Sequence, residues 1–151
     1  MEPTTIAAGA SVLGGLMGYK GNMAAAKNAE AVGEYNAKVA ENEKVVLKRA
    51  TRDQERILRV NAQRIAATQR VMTAASGVQM SGSPLQALFD TYINTELDAA
   101  KIRYSGSVQE ASKEAEAGLA RLQAGANAQA FKYAAIGSVL KGGQQSATLL
   151  T

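Results

Sequence analysis

The chain has 151 residues, the length of one ordinary domain, but it is poor in the side chains that usually build a domain core. Aromatic residues make up only 5%, and there is no Trp, His or Cys, whereas alanine is abundant. The lack of Cys excludes disulfides and thiolate metal sites, and the lack of His removes the commonest metal ligand and proton shuttle. Because each buried bulky side chain contributes about 1.5–3 kcal/mol, this composition predicts a thin core and a multimer of packed helices.

The first segment, residues 1–21, is rich in glycine and uncharged from Pro3 to Tyr19. Because no basic region precedes it, we predict no cleavable signal peptide. One interpretation is a loosely helical terminus packed on its neighbours. The other is a membrane-interacting segment, although the stretch is short for a span. Small residues recur at every fourth position and predict two helix stripes: Ala10, Gly14 and Gly18, and Ala7, Ser11 and Gly15.

Residues 22–76 predict one long helix. Between Met23 and Ala75 there is no proline and a single glycine, Gly33, and strong helix formers dominate. A helix of about 80 Å cannot bury an apolar stripe inside a small globule, so it needs a partner arm or a neighbouring subunit. An eleven-residue interval keeps such a stripe on one face of a nearly straight helix. The apolar residues at this interval are Tyr35, Val46 and Ile57, Leu47 and Leu58, and Val60 and Val71.

Residues 77–83 predict a turn between the two arms. Gly77 suits the left-handed position that follows a helix C-terminus. Ser83 is predicted as the N-cap of the next helix, with Pro84 at its first position and Gln86 completing a capping box. The hinge is therefore assigned to Gly77, Ser81, Gly82, Ser83 and Pro84.

The second arm is predicted over residues 84–124, followed by a small-residue apolar tail over residues 125–151. Gly106 lies in a Ser-Gly-Ser stretch that is a candidate kink. In the tail, Ala134 and Gly137 are assigned to packing or membrane contact. Apolar residues follow helical spacing along the arm: Leu85, Leu88, Phe89, Tyr92, Ile93, Leu97, Ala100, Tyr104, Val108, Ala111, Ala115 and Leu119.

No catalytic constellation is present in the sequence. It contains no phosphate-binding loop, dinucleotide-binding glycine pattern, nucleophile elbow or metal-ligand cluster. Glu96 and Asp98 are two positions apart and do not share a helix face, so solvated charge or surface ion pairs explain them better than acid–base chemistry. Asp98 and Lys101, three apart, predict a weak intrahelical pair. We therefore predict that the chain is not an enzyme and holds no cofactor or metal.

Positive charge is concentrated in one stretch of the first arm. Residues 44–70 hold eight Lys or Arg and two Asp or Glu, a net charge of +6, whereas the whole chain carries +4. Such a helix face would either contact nucleic acid phosphates without reading sequence or face solvent or another subunit. The latter is favoured because no aromatic residues are interleaved for base stacking. The face is formed by Lys48, Arg52, Arg56 and Arg59.

The centre of the chain resembles a family of phage proteins. The resemblance rests on the run from Ala74 to Val78, the run from Ser81 to Leu85, Asp90, Glu96-Leu97-Asp98-Ala99 and Ile102-Arg103-Tyr104. The pattern is similar to that of the smallest internal core, or ejection, protein of T-seven-like short-tailed phages and their relatives. The glycine-rich N-terminus and the alanine-rich C-terminal arm fit the same family.

The resemblance implies a location and a role. Members of this family are carried inside the capsid near the portal, together with other internal core proteins. They leave the particle at infection and help to form a channel through the host envelope, this smallest member being associated with the outer membrane. The resemblance thus implies as partners further copies of the chain, the portal, other ejection proteins and the host outer membrane. A portal or tail adaptor that stays in the virion is the alternative, and a small cellular pore-former is a weaker one.

Overall fold

The computed structural model of the protein contains two long helices. It describes the backbone of residues 3–148 and the side chains of residues 13–144. Helix α1 spans Pro3–Ala75 and helix α2 spans Ser83–Thr148, with lengths of 73 and 66 residues. No strand occurs among the described residues. The predicted all-α fold of two long arms packed together is confirmed.

The helices extend beyond two of the predicted boundaries. Helix α1 continues from Pro3 through residue 21, where a separate terminus was predicted, and α2 continues through Gly125 into the predicted tail. It also continues through Gly106, the candidate kink. An interior glycine costs a helix only about 1 kcal/mol, which packing against a second helix can offset.

The chain divides into two compact units, and each contains a segment of both helices. The terminal unit comprises Met1–Ala40 and Ala115–Thr151, and the turn unit comprises Glu41–Glu114. Within each unit the two helix segments are antiparallel. In the terminal unit Glu30 pairs with Lys132 and Glu34 with Arg121. In the turn unit Lys44 pairs with Glu114, and Arg59 pairs with Glu96.

Small side chains form the contact between the helix segments. Every buried apolar residue described in the chain is alanine except Leu88. In the terminal unit Ala37, Ala40 and Ala117 form a buried cluster, with Ala120 packed against it. The thin core predicted from the composition is therefore a row of mainly small residues between the helix segments, which we call the seam. The buried residues of this seam are Gly15, Ala26, Gly33, Ala37, Ala40, Ala62, Ala66, Leu88, Ala99, Gly106, Ala117, Ala124, Ala128, Ala135 and Gly142.

The eleven-residue interval is present, but small residues rather than large ones occupy its buried side. Gly15, Ala26 and Ala37 are eleven apart and buried. Of the predicted stripe, only Leu47 and Leu58 are half-buried against the partner arm, and its remaining members are exposed. At Gly33 and Gly106 the helix segments lie so close together that an added Cβ would collide with the facing helix. The exposed members are Tyr35, Val46, Ile57, Val60 and Val71.

Two glycines shape the turn. Helix α1 ends at Ala75, and Gly77 follows in the left-handed conformation with φ of 70°. Its amide donates to the Ala74 carbonyl at 3.2 Å, which satisfies one of the free carbonyls at the helix end. Gly77 therefore occupies the left-handed position after α1, as predicted from the sequence.

The start of α2 differs from the predicted cap by one residue. The helix begins at Ser83 and not at Pro84. Gly82, with φ of 64°, holds the N-cap position, and its carbonyl accepts from the Gln86 amide at 3.0 Å. Ser83 is therefore the first helical residue rather than the cap. Glycine is also an accepted N-cap residue, and its φ here is one that Ser would adopt only with strain.

Replacing Gly77 with alanine is expected to lower the free energy of unfolding by about 1 kcal/mol, because a left-handed residue with a Cβ costs roughly 1–2 kcal/mol and alanine loses less chain entropy on folding. Gly125→Ala is the matched control: this glycine is helical, and a Cβ added to it would have no neighbouring atom within 4 Å. The control is expected to stabilise the chain. Urea unfolding followed by circular dichroism measures both, and equal stabilisation by both would contradict the turn geometry.

Candidate assembly surfaces

The small residues assigned to packing or membrane contact in the two terminal segments occupy two kinds of position. Some pack against the other helix, and the others are exposed or face open space. A Cβ on Gly15 would lie 3.0 Å from the Ser138 carbonyl oxygen, and one on Gly18 would lie 3.1 Å from the Ser138 Cβ. The Ser138 hydroxyl lies 3.3 Å from the Gly15 carbonyl oxygen, which it can reach as a donor. Gly14 and Gly137 face open space, and Ala134 is exposed. The side chains of Ala7, Ala10 and Ser11 lie outside the described residues.

The outward face of α2 in the turn unit carries large apolar side chains. Ala99 is fully buried against α1. Leu97 precedes it by two residues and Tyr104 follows it by five, which rotates both onto the opposite side of the helix at about 100° per residue. They are 54% and 74% exposed. This face, the outer stripe, runs at spacings of four, four and three residues and contains no charge: Phe89, Ile93, Leu97, Ala100, Tyr104, Val108 and Ala111.

The α2 segment of the terminal unit has an outward apolar face with the same spacing. Leu119, Leu122 and Tyr133 are more than half exposed on it. Full burial of such side chains contributes about 1.5–3 kcal/mol each, and here only part of that contribution is made within the chain. The face also contains no charged residue, and its members are Ala115, Leu119, Leu122, Ala126, Ala130, Tyr133, Gly137 and Leu140.

Ion pairs join the two helix segments within each unit. In the terminal unit Arg121 donates to Glu34 at 3.1 Å. That hydrogen bond is the main cause that holds the pKa of Glu34 below its ordinary value. In the turn unit Lys44 donates to Glu114 at 2.9 Å, which lowers the pKa of Glu114 and raises the pKa of Lys44. All four side chains are in contact with solvent, so these pairs fix the antiparallel register more than they add stability.

The predicted basic face is only partly neutralised. Arg56 pairs with Asp53 at 3.2 Å, and Arg59 pairs with Glu55 at 2.9 Å. Lys48 and Arg52 are exposed, and neither forms an ion pair with any residue of the described part of the chain. The face therefore retains two solvated cations that are available to an anionic partner.

The acidic residues considered in the sequence are engaged in surface ion pairs. Asp98 pairs with Lys101 at 3.0 Å, which confirms the predicted intrahelical pair. Glu96 lies 3.3 Å from Arg59 on the other helix. Within the described residues, no group of three or more acidic, His or Cys side chains is placed to hold a metal ion.

Each unit has a groove between its two helix segments. The first, of about 450 Å³ in the terminal unit, is lined by alanines, Val32, Phe131 and the carboxamides of Asn28, Asn36 and Asn127. The second, of about 290 Å³ in the turn unit, is lined mainly by uncharged residues around Gly106. Neither brings together an acid and a base or a nucleophile and a base. Both grooves have a concave surface formed mainly by apolar side chains and carboxamides.

The comparisons with known proteins give no relative. No protein-family model matches the chain, and no curated protein or solved structure is significantly similar to it. Along the described part of the two helices, no stretch is both long and apolar enough to cross a membrane.

Proposed function

We propose that this chain is an assembly protein rather than an enzyme, and that it is an internal virion protein of a short-tailed phage. The assembly role rests on where the side chains lie, which is the reverse of their placement in an ordinary pair of helices. Small residues fill the seam between the helices, and large apolar residues such as Leu97 and Tyr104 face outward. A chain built this way gains stability from packing against further chains, which is what an assembly component requires.

The phage assignment is supported by the central sequence pattern. The residues that resemble the phage ejection family include the turn, where Gly77 and Gly82 adopt left-handed conformations between the two helices. In this proposal the protein forms multimers beside the portal inside the capsid, with other core proteins. It leaves with the DNA and takes part in a translocation channel in the host envelope. Lys48 and Arg52 would face solvent or an acidic surface of another subunit, and contact with the phosphates of packaged DNA is the alternative.

Analysis of phage particles tests the proposal. The protein composition of intact particles is compared with that of particles that have released their DNA. The chain is expected in the former and to be lost from the latter. Retention after DNA release would instead support a portal or tail adaptor, and absence from intact particles would exclude both roles.

The membrane step has its own test. Purified protein is added to liposomes that contain a trapped dye, beside a variant that lacks residues 4–19. Leakage with the full chain and less leakage with the variant are expected. No leakage, together with full infectivity of phage carrying the deletion, would remove the membrane step from the proposal while leaving the virion location intact.

A further inference from the structure

The basic surface of α1 in the turn unit is wider than the four-residue face predicted from the sequence. At about 100° per residue, six Lys and Arg side chains between residues 48 and 70 fall within about 100° of the helix circumference. The two carboxylates of the same stretch, Asp53 and Glu55, lie just beyond the edges of this surface. We call it the basic arc, and all its members are exposed: Lys48, Arg49, Arg52, Arg56, Arg59 and Arg70.

Most of the positive charge of the basic arc is not neutralised within the chain. Arg56 pairs with Asp53 at 3.2 Å. Arg59 pairs with two carboxylates, Glu55 at 2.9 Å and Glu96 at 3.3 Å. The other members form no ion pair with any residue of the described part of the chain: Lys48, Arg49, Arg52 and Arg70.

The spacing of these cations is unfavourable in the isolated chain. Arg52 lies four residues from Lys48 and four from Arg56, so these side chains are neighbours on the helix surface, where like charges repel. Two nearby carboxylates of α2, Glu110 and Glu114, act instead on Lys44, which lies outside the arc. A partner that brings a row of negative charges to the arc would relieve this repulsion.

We propose that the basic arc binds the phosphate backbone of duplex nucleic acid without reading its sequence. The inference deepens the DNA contact that the proposed function holds as the alternative, and it depends on neither the phage assignment nor ejection. Duplex DNA carries one negative charge per about 1.7 Å of its axis. The arc is about 33 Å long, so its cations meet a nearly continuous line of charge and need no individually placed partners.

Other anionic partners fit the arc less well. Single strands are bound largely by stacking of their bases on aromatic side chains, and the arc has none, whereas the bases of a duplex are already stacked. Helices on a membrane surface insert large side chains such as Trp, Phe or Leu beside their cations. The arc itself holds Gln63, Ala66 and Ala67, and only valines, Val60 and Val71, lie along its outer edge. An acidic protein surface would need a carboxylate opposite each cation.

Fluorescence anisotropy of a labelled DNA duplex of arbitrary sequence, titrated with the full chain, tests the inference. The duplex is about 30 base pairs long, so it extends beyond the arc. With four phosphates neutralised, the affinity is expected to fall about 100-fold between about 50 and 200 mM salt, because the slope of log affinity against log salt is about −0.9 per phosphate. A second duplex of the same length and different sequence is expected to bind equally well.

A pair of double variants locates the contact. Lys48→Gln with Arg52→Gln removes two unpaired cations of the arc, and it is expected to reduce the salt slope by about 2 and the affinity at low salt by at least ~10-fold. Lys20→Gln with Lys27→Gln is the matched control. It removes the same charge from exposed positions of the same helix that also form no ion pair among the described residues, and it is expected to leave the affinity within about twofold. Circular dichroism checks that both keep their helix content.

Three results would overturn the inference: no binding of the duplex at the lower salt, equal losses of affinity in the two double variants, or displacement of the duplex by poly-glutamate as efficiently as by unlabelled duplex of equal charge. The last would assign the arc to an acidic protein partner. Tighter binding to phosphatidylglycerol vesicles than to the duplex, weakened by Lys48→Gln with Arg52→Gln, would overturn it in favour of an anionic membrane.

Failure of this inference can be told apart from failure of the proposed function. A chain absent from phage particles could still bind a duplex through the basic arc. A chain that is carried in the particle and ejected could leave the arc facing solvent, and its variants would then bind DNA no less tightly than the natural chain.

Discussion

Replacing Gly33 with alanine is expected to lower the free energy of unfolding by about 1–3 kcal/mol. In the interior of a helix this change ordinarily raises stability, because alanine has the higher helix propensity. At Gly33 the added Cβ would collide with the Ala124 Cβ and would lie 3.0 Å from the Ala120 carbonyl oxygen. Neither atom belongs to a flexible side chain, so the two helix segments of the terminal unit would have to separate. Urea unfolding at a fixed protein concentration measures the effect.

Gly118→Ala provides the control for Gly33→Ala. Gly118 is also helical, but nothing lies within 4 Å of its Cβ position. It is expected to gain about 0.5–1 kcal/mol, so the two variants should change stability in opposite directions. The double variant Gly33→Ala with Ala124→Gly should recover part of the loss, and the recovered part measures the coupling between the two positions. A stabilising effect of Gly33→Ala alone would contradict the close approach.

The sequence was sufficient for the parts of the fold that depend on local chemistry. Gly77 predicts the end of α1 because the left-handed conformation after a helix favours a residue without a Cβ. The absence of proline and the abundance of helix formers predict the long arms. The cap of α2 was misplaced by one residue, because Ser83 is the stronger N-cap type whereas the backbone at Gly82 takes a positive φ.

The sequence was not sufficient to assign the faces of the helices. Ranking residues by size and hydrophobicity placed Tyr35, Val46 and Ile57 inside, and all three are exposed. The informative signal was the eleven-residue recurrence of small residues at Gly15, Ala26 and Ala37. This recurrence is a weak signal because alanine also occupies many exposed positions of the chain, so the buried alanines cannot be distinguished by residue type.

The contacts between residues far apart in the chain could not be predicted from the sequence either. The pairing of Arg59 with Glu96 joins residues 37 apart, and the contact of Gly15 with Ser138 joins residues 123 apart. Both depend on the register of the two helices, which no local motif specifies. The basic face, in contrast, follows from spacing within one helix. What the structure added is that Arg56 and Arg59 are paired whereas Lys48 and Arg52 are not.

Replacing Ala37 with leucine is expected to destabilise the chain by about 1–3 kcal/mol or more, although leucine is far more hydrophobic. Ala37 has no exposed surface and lies in the cluster with Ala40 and Ala117. Three more carbon atoms have no free space there, so the helices must move apart and lose neighbouring contacts. Leucine is a good helix former, so the loss reports packing rather than helix propensity.

Ala31→Leu is the matched control for Ala37→Leu, because Ala31 is an exposed position of the same helix. It is expected to change the free energy of unfolding by less than about 0.5 kcal/mol, as exposed substitutions usually do. The urea midpoints of the two variants show whether leucine destabilises the chain in the seam but not on the outer face of the helix. If both leucine variants were as stable as the natural chain, the small residues would not be what brings the helices together. The proposed assembly role would then lose part of its support, because a seam that accepts leucine does not require large side chains to face outward.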